Sequence, residues 1–161
     1  MGIHAARHGL SGANDQGNPA FASPEAKLLP TGVDQAVVLG SQTFPELGID
    51  PSQTDVATST FLRAQETAQH AGFGKITSYD SLDEIKHGLD YEGYMTMKQT
   101  RVLPLHALRA AEQTLIDPPL EKVWIFHGLR ISAICQILGI YEDSEFLFPK
   151  FCEVRYIPIN D

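Results

Sequence analysis

The segment IHAARHG, residues 3–9, is a short, mostly apolar run that leads into Arg-His-Gly, and the segment KVWIFHG, residues 122–128, has a similar plan. The second run is apolar and rich in β-branched and aromatic residues, which is typical of a buried strand. Both runs end in a His-Gly pair. Core packing explains two such pairs at two strand ends poorly, so they indicate a site at one end of a sheet.

Strands and helices alternate along the rest of the chain. The sequence predicts strands over residues 3–7, 55–59, 76–79, 122–126 and 154–159, with the last at an edge because of Pro158. It predicts helices over residues 31–40, 61–71, 94–115 and 131–138, with an interruption or offset at Pro104. Thr31 is the predicted N-cap of the first helix, and Gly40, Gly72 and Gly139 are predicted helix ends. Residues 11–30 predict a loop with a helical turn.

This alternation predicts an α/β fold, a three-layer α/β/α sandwich around a mainly parallel central sheet. Its 161 residues fit a single domain, residues 1–161, with a sizeable core. Sites in such folds form beyond the carboxyl ends of the strands. His8, the segment 59–63 and His127 each follow a predicted strand, so we expect them at one rim of the sheet.

Composition excludes some partners and locations. The formal net charge is −8, which argues against nucleic-acid and anionic-membrane surfaces because both require clustered Lys and Arg. No apolar run approaches a membrane span, and the first residues match neither a signal peptide nor a myristoylation signal. Cys135 and Cys152 lack metal-ligand spacing, which predicts reduced, buried thiols. We therefore expect a cytoplasmic protein.

The residues after the strands suit phosphoryl chemistry. A histidine attacks phosphorus effectively when cations hold the phosphate oxygens and an acid protonates the leaving group. His8 is the candidate nucleophile, Arg7 and Arg63 are the candidate cations, and His127 stabilises the charge that develops on phosphorus. Candidate acids crowd one segment, namely Asp83, Glu84, Asp90 and Glu92. The residues alone do not choose among the four, most of which we expect to be solvated.

Taken together, these motifs resemble the histidine phosphatase superfamily, which has the phosphoglycerate-mutase-like fold. The matching blocks are Arg7-His8-Gly9 followed by Ser11 and Asn14, the helix 31–40, the Ser-x-x-x-Arg-Ala-x-x-Thr-Ala block 59–68, the Leu-x-Glu segment 82–93, and the strand, His-Gly and helix of 123–139. They cover nearly the whole chain in the family's order. Three positions depart from the common pattern, at Leu10, Phe126 and Leu129, and none of them removes a catalytic group.

The resemblance implies a role for each matched residue. It implies that His8 becomes phosphohistidine, and that Glu84 protonates the leaving oxygen and then activates water. The implied catalytic residues are His8, Glu84, His127, Arg7 and Arg63, and the implied substrate-binding residues are Arg7, Ser11, Asn14, Arg63, His127 and Gly128. The implied reaction is hydrolysis of a phosphomonoester without metal or other cofactor.

Substrate and partners are less determined. A small phosphorylated metabolite and a phosphoprotein both fit the chemistry, and oligomeric state is open. The short span from Glu84 to His127 favours hydrolysis over a mutase reaction, because mutases of this family usually carry a longer lid insertion there. Mutase-type phosphoryl transfer, a phosphohistidine-protein phosphatase and a non-catalytic phosphate-binding domain stay as alternatives. The sequence also leaves open the apolar stretch 146–151, and it favours an exposed position for Arg130.

Overall fold

A five-stranded sheet forms the centre of the molecule in the computed structural model, which describes residues 2–84, 99–100, 102–140 and 148–159. The strands are β1 (Gly2–Arg7), β2 (Asp55–Ser59), β3 (Lys75–Tyr79), β4 (Val123–Phe126) and β5 (Val154–Pro158). Their spatial order is β3-β2-β4-β1-β5. The first four run parallel, and β5 pairs antiparallel with β1 at the edge. The mainly parallel sheet with an edge strand at Pro158 is therefore confirmed.

The helices lie in the connections between the strands. They are α1 (Pro30–Val38), which continues through a π-helical turn (Leu39–Thr43) into α2 (Phe44–Glu46), then α3 (Leu62–His70), α4 (Leu105–Ile116) and α5 (Gly128–Ile137). Short 3-10 turns occupy Gly12–Asn14, Pro51–Gln53 and Asp80–Leu82. In the part of the chain that the structure describes, no helix combines the length and apolarity needed to cross a bilayer.

Two apolar cores cover the two faces of the sheet. On β4, Trp124 and Phe126 face one core, with buried residues of α4 and α5. Val123 and Ile125 face the other, which includes Leu39, Phe44 and the end of α3. Successive side chains of a strand point to opposite faces, so one wholly buried strand supplies both cores. The predicted three-layer α/β/α sandwich is confirmed.

Two predicted features of the first helix are wrong. The helix begins at Pro30, with Leu29 as N-cap, because a proline at the first helical position has the required φ and lacks an N–H that would otherwise be unpaired. It does not end at Gly40, since the π-helical turn continues to Thr43. A Cβ at Gly40 would overlap the backbone carbonyl of Ala71, so this glycine permits close packing against the end of α3.

Other helix limits are closer to expectation. The helix α3 ends before Gly72 and α5 before Gly139, as predicted. The helix α5 starts at Gly128, three positions earlier than the predicted 131–138. The helix α4 starts after Pro104, which is its N-cap. The predicted helical positions 94–98 lie outside the described residues.

Candidate active site

His8 lies directly beyond β1 and is 2% exposed. Its Nδ1 is 2.7 Å from the carbonyl oxygen of Gly9. A carbonyl only accepts hydrogen bonds, so Nδ1 carries the proton and Nε2 carries the lone pair. The Nε of Arg63 donates to that Nε2 at 3.2 Å, which agrees with this tautomer. The ring therefore presents its unprotonated nitrogen toward a cation.

The pKa of His8 lies well below its ordinary value. Burial is the main cause, and the positive charges of Arg63 and then Arg7 add to it. A neutral imidazole is the nucleophilic form of histidine, so the environment of His8 keeps it ready to attack at neutral and mildly acidic pH.

Arg63 lies at the start of α3 and is 5% exposed, so it is not a solvent-facing helix arginine. Its Nη1 donates to the carbonyl oxygen of Ser23 at 2.9 Å. Burial lowers the pKa of Arg63 to about 10, against the opposing negative charge of Glu84. The guanidinium therefore stays charged at neutral pH. The neighbouring Glu66 accepts a hydrogen bond from the Leu28 amide at 2.7 Å.

Arg7 ends β1 on the same rim. Its Nη1 donates to the carbonyl oxygen of Pro149 at 2.9 Å, and its Cζ lies 4.0 Å from the centre of the Phe151 ring. A Cβ at Gly128 would lie 3.1 Å from Nε of Arg7, so the glycine of the second His-Gly pair lets the guanidinium sit against the start of α5. Phe151 is 6.0 Å from the His8 ring, between centroids, and thus forms an apolar wall beside His8.

His127 follows β4 as the N-cap of α5 and is fully buried. Its ring centroid is 5.2 Å from that of His8. Its Nε2 is 2.8 Å from Oγ of Ser59, and that oxygen accepts a hydrogen bond from the Phe61 amide at 3.3 Å. Among the described residues the Ser59 hydroxyl has no acceptor other than this nitrogen, so we assign its proton to the Ser59–His127 bond, which leaves the proton of the imidazole on Nδ1.

The Nδ1 of His127 is buried and has no hydrogen-bond partner within the described ranges. Burial lowers the pKa of His127 well below its usual value, with smaller contributions from Arg63, His8, Arg130 and Arg7. His127 is thus a neutral hydrogen-bond donor. A buried N–H without a partner is costly, and an anion bound beside it would remove that cost.

Ser59 has no role among the residues predicted for the site, yet it sets the tautomer of His127. The signal was present, since Ser59 opens the matched block 59–68 and ends a predicted strand.

Among the four acids, the structure describes Asp83 and Glu84, and Asp90 and Glu92 lie outside the described residues. Asp83 is 8% exposed, so it is not one of the solvated charges that we expected for most of the four. Its Oδ1 accepts from the amide of Thr60 at 2.7 Å, and the Thr60 hydroxyl lies within 2.8 Å of both carboxylate oxygens. Glu84 is half-buried, and its charge acts on both Arg63 and Arg130.

Arg130 is 7% exposed, so the predicted exposed position is wrong. Its Nε donates to the carbonyl oxygen of Asp83 at 3.1 Å, and its Nη2 donates to the same oxygen. Its Nη1 lies 3.4 Å from Oγ1 of Thr114, and that hydroxyl donates to the carbonyl oxygen of Ser81 at 2.7 Å. A buried guanidinium requires hydrogen-bond partners. The Asp83 carbonyl and the Thr114 hydroxyl, which are distant in sequence but close in space, supply them.

The remaining predicted binding residues lie in the loop after β1. Ser11 is fully buried, and its hydroxyl and amide donate to Oδ1 of Asn14 at 2.8 and 3.2 Å. Asn14 is exposed. Ser11 thus supports Asn14, and a substrate contact of either residue remains a prediction.

The apolar stretch 146–151 contains two described aromatic residues with different positions. Phe148 packs against the core that contains Trp124, whereas Phe151 borders both the active site and a cavity of about 360 Å³ beside α1.

Cys135 and Cys152 are free thiols, with Cys135 buried and Cys152 half-buried. Among residues 2–84, 99–100, 102–140 and 148–159, no group of three or more His, Cys, Asp or Glu side chains is arranged to hold a metal ion.

The fold and these residues define a class of protein. The profile of the histidine phosphatase superfamily (branch 1) matches residues 3–138, and the chain belongs to this family. The superfamily includes phosphatases and mutases.

Solved structures show the same fold. The chain is similar to TTHB049 from Thermus thermophilus, with a TM-score of 0.69, 21% identity and coverage of 98% of this chain and 93% of that one. It is similar to phosphoglycerate mutase from the same organism, with a TM-score of 0.63, 24% identity and coverage of 89% and 86%. It is also similar to a phosphoserine phosphatase from Entamoeba histolytica, with a TM-score of 0.61, 16% identity and coverage of 96% and 89%. A search of curated protein sequences gave no match. These likenesses establish the phosphoglycerate-mutase-like fold.

Proposed function

We propose that this protein is a metal-independent phosphatase that hydrolyses a phosphomonoester through a phosphohistidine on His8. The observation that carries the proposal is the state of the His8 ring. Its Nδ1–H donates to the Gly9 carbonyl oxygen at 2.7 Å, and its Nε2 accepts from Nε of Arg63 at 3.2 Å. A phosphate that takes the Arg63 donor from Nε2 would therefore leave the lone pair of a neutral imidazole beside phosphorus.

In the first step, Nε2 of His8 forms a bond to phosphorus as the bond from phosphorus to the leaving oxygen breaks. Arg7 and Arg63 neutralise the phosphate oxygens, and the Nδ1–H of His127 donates to one of them. Glu84 gives its proton to the leaving oxygen, which departs as an alcohol. Preorganised donors of this kind stabilise the charge that develops in the transition state.

In the second step, the Glu84 carboxylate takes a proton from water as the water oxygen attacks phosphorus. The bond between phosphorus and Nε2 breaks, inorganic phosphate is released, and both His8 and Glu84 return to their starting states. This route replaces one difficult displacement with two easier ones, and neither step needs a metal. Asp83 is unsuited to the role of Glu84 because both of its carboxylate oxygens accept hydrogen bonds from Thr60.

We propose hydrolysis in preference to mutase-type transfer because the segment between Glu84 and His127 is short for a mutase lid. The substrate class that we propose is a small phosphorylated metabolite, with a phosphoprotein as the second candidate. The cytoplasmic location and the absence of a nucleic-acid or membrane partner stay predictions from composition.

The test is phosphate release from an aryl phosphate, a panel of phosphometabolites and a phosphohistidine peptide, with a chelator present, for the wild type and His8→Asn. Binding of inorganic phosphate to the wild type is measured beside it. The matched control is His70→Asn, which changes an exposed histidine on α3. We expect metal-independent release that is lost in His8→Asn and kept in His70→Asn. A rapid acid-free quench should also trap a phosphoenzyme in the wild type alone.

Two outcomes would contradict the proposal. Release that survives in His8→Asn would exclude His8 as the nucleophile. Phosphate binding to the wild type without release from any metabolite or phosphohistidine peptide would favour the non-catalytic binding domain.

A further inference from the structure

Asp83 is held from both sides immediately before Glu84. The Thr60 amide and hydroxyl hold its carboxylate at 2.7–2.8 Å. Nε and Nη2 of Arg130 hold its carbonyl oxygen. That carbonyl belongs to the peptide group whose nitrogen is the amide of Glu84. Because the peptide group is planar, a fixed Asp83 carbonyl oxygen also fixes the positions of the Glu84 nitrogen and Cα.

The two residues that hold Asp83 come from the segments that form the phosphate pocket. Thr60 lies between Ser59, which contacts His127, and Arg63, which contacts His8. Arg130 is one helical turn after His127 on α5. The position of the acid is therefore tied to the walls of the pocket that holds the phosphate.

Arg130 is well suited to such a function. A planar guanidinium whose Nε–H and Nη2–H converge on one carbonyl oxygen restricts rotation more than a single hydrogen bond does. The contact of its third nitrogen with Thr114, at 3.4 Å, adds a link to α4. Most arginines in proteins are exposed. Arg130 is 7% exposed, and its donors are directed at a backbone carbonyl.

We propose that Arg130, together with Thr60, is a positioning residue that orients Glu84 toward the leaving oxygen. The inference rests on the proposed function, because it assigns Glu84 the general-acid role. The side-chain hydrogen bonds of Thr60 and Arg130 go to Asp83 and Thr114, not to His8, Arg63 or His127. Loss of either should therefore impair protonation of the leaving group more than phosphate binding.

The experiment uses the dependence of kcat/KM on the leaving group. Phenyl phosphate leaves as a basic phenolate that needs a proton, whereas 2,4-dinitrophenyl phosphate leaves readily without one. General acid catalysis contributes about 10²-fold or more, so Arg130→Met should lower kcat/KM for phenyl phosphate by about that factor. For 2,4-dinitrophenyl phosphate the same variant should lose about threefold or less. Glu84→Gln should show the same selectivity, and Arg130→Lys should recover part of the loss.

The matched control is Arg155→Met, which removes another buried arginine, on β5, that pairs with Glu153 at 3.1 Å. It should lower stability without selectivity between the two substrates. If Arg130→Met does not fold, Thr60→Val removes the hydroxyl half of the contact at an exposed position and should show the same selectivity to a smaller extent.

The outcomes separate the inference from the proposed function. Equal losses with both substrates in Arg130→Met or Thr60→Val, beside a selective loss in Glu84→Gln, would overturn the positioning role and leave the phosphatase intact. No turnover by the wild type, or no selectivity in Glu84→Gln, would overturn the general-acid assignment and with it the inference.

Discussion

Burial of two neutral histidines in one pocket should make this protein lose stability in mild acid. The pKa values of His8 and His127 lie well below 6.5 in the folded state, mainly because of burial and then because of nearby arginines. In the unfolded chain both return to the ordinary value. Below pH 6.5 the unfolded state therefore binds more protons, so the free energy of unfolding falls as pH falls.

The size of this effect follows from the number of buried rings. At one pH unit below 6.5, a histidine that stays neutral when folded costs roughly 1 kcal/mol relative to high pH. His8 and His127, whose pKa values are both lowered, should thus lower the free energy of unfolding by up to roughly 2–3 kcal/mol between pH 7.5 and 5.5. His4, whose pKa is lowered by burial, contributes with the same sign in every variant.

The assay is urea unfolding at pH 7.5, 6.5 and 5.5, followed by the fluorescence of the single tryptophan, Trp124, which is fully buried. His8→Asn should reduce the acid-induced loss by up to roughly 1 kcal/mol, because the unfolded variant binds one proton fewer than the unfolded wild type. His70→Asn, at an exposed position on α3, should match the wild type. An acid-induced loss in His8→Asn equal to that of the wild type would refute the reasoning.

Two further predictions concern single contacts. Ser59→Ala removes the 2.8 Å bond to His127 and leaves a buried ring nitrogen without a partner, which should cost about 1–3 kcal/mol and lower kcat/KM for phosphate release about tenfold or more. Ser132→Ala, which removes another buried hydroxyl, should keep kcat/KM near that of the wild type, and a similar loss in both would argue against a specific role for Ser59. Gly40→Ala places a Cβ against the Ala71 carbonyl and should lower the free energy of unfolding by about 1–3 kcal/mol in urea, whereas Gly74→Ala, with its nearest contact at 4.0 Å, should change it little. If Gly40→Ala and Gly74→Ala have equal free energies of unfolding, the backbone at Gly40 and Ala71 can move apart at little energetic cost.

The strands could be predicted because their signal is local. The predicted strand 55–59 coincides with β2, and the predicted 122–126 differs from β4 by one residue. Short apolar runs bounded by polar residues determine strand positions without knowledge of the rest of the fold. The alternation of such runs with helices also predicted a mainly parallel sheet with His8 and His127 at one rim. The strand order, in which β1 and β4 are neighbours, was not predicted.

Predictions that depended on distant partners were wrong or missing. Gly40 has the residue type of a helix end, but its function is to pack against Ala71. Arg130 has the residue type of a helix surface, yet the fold brings the Asp83 carbonyl within its reach. Neither partner is close in sequence, so no local pattern predicts these contacts.

The sequence by itself determined the α/β fold, the family and the residue types available for phosphoryl transfer, because strand periodicity and short motifs are local properties of the chain. Only the tertiary structure decided which nitrogen of His8 carries the lone pair, that Ser59 sets the tautomer of His127, and that Asp83 is held by Thr60 and Arg130 beside Glu84. Hydrogen bonds and burial between residues far apart in the chain decide these points, and they exist only once the sheet has brought its strand ends together.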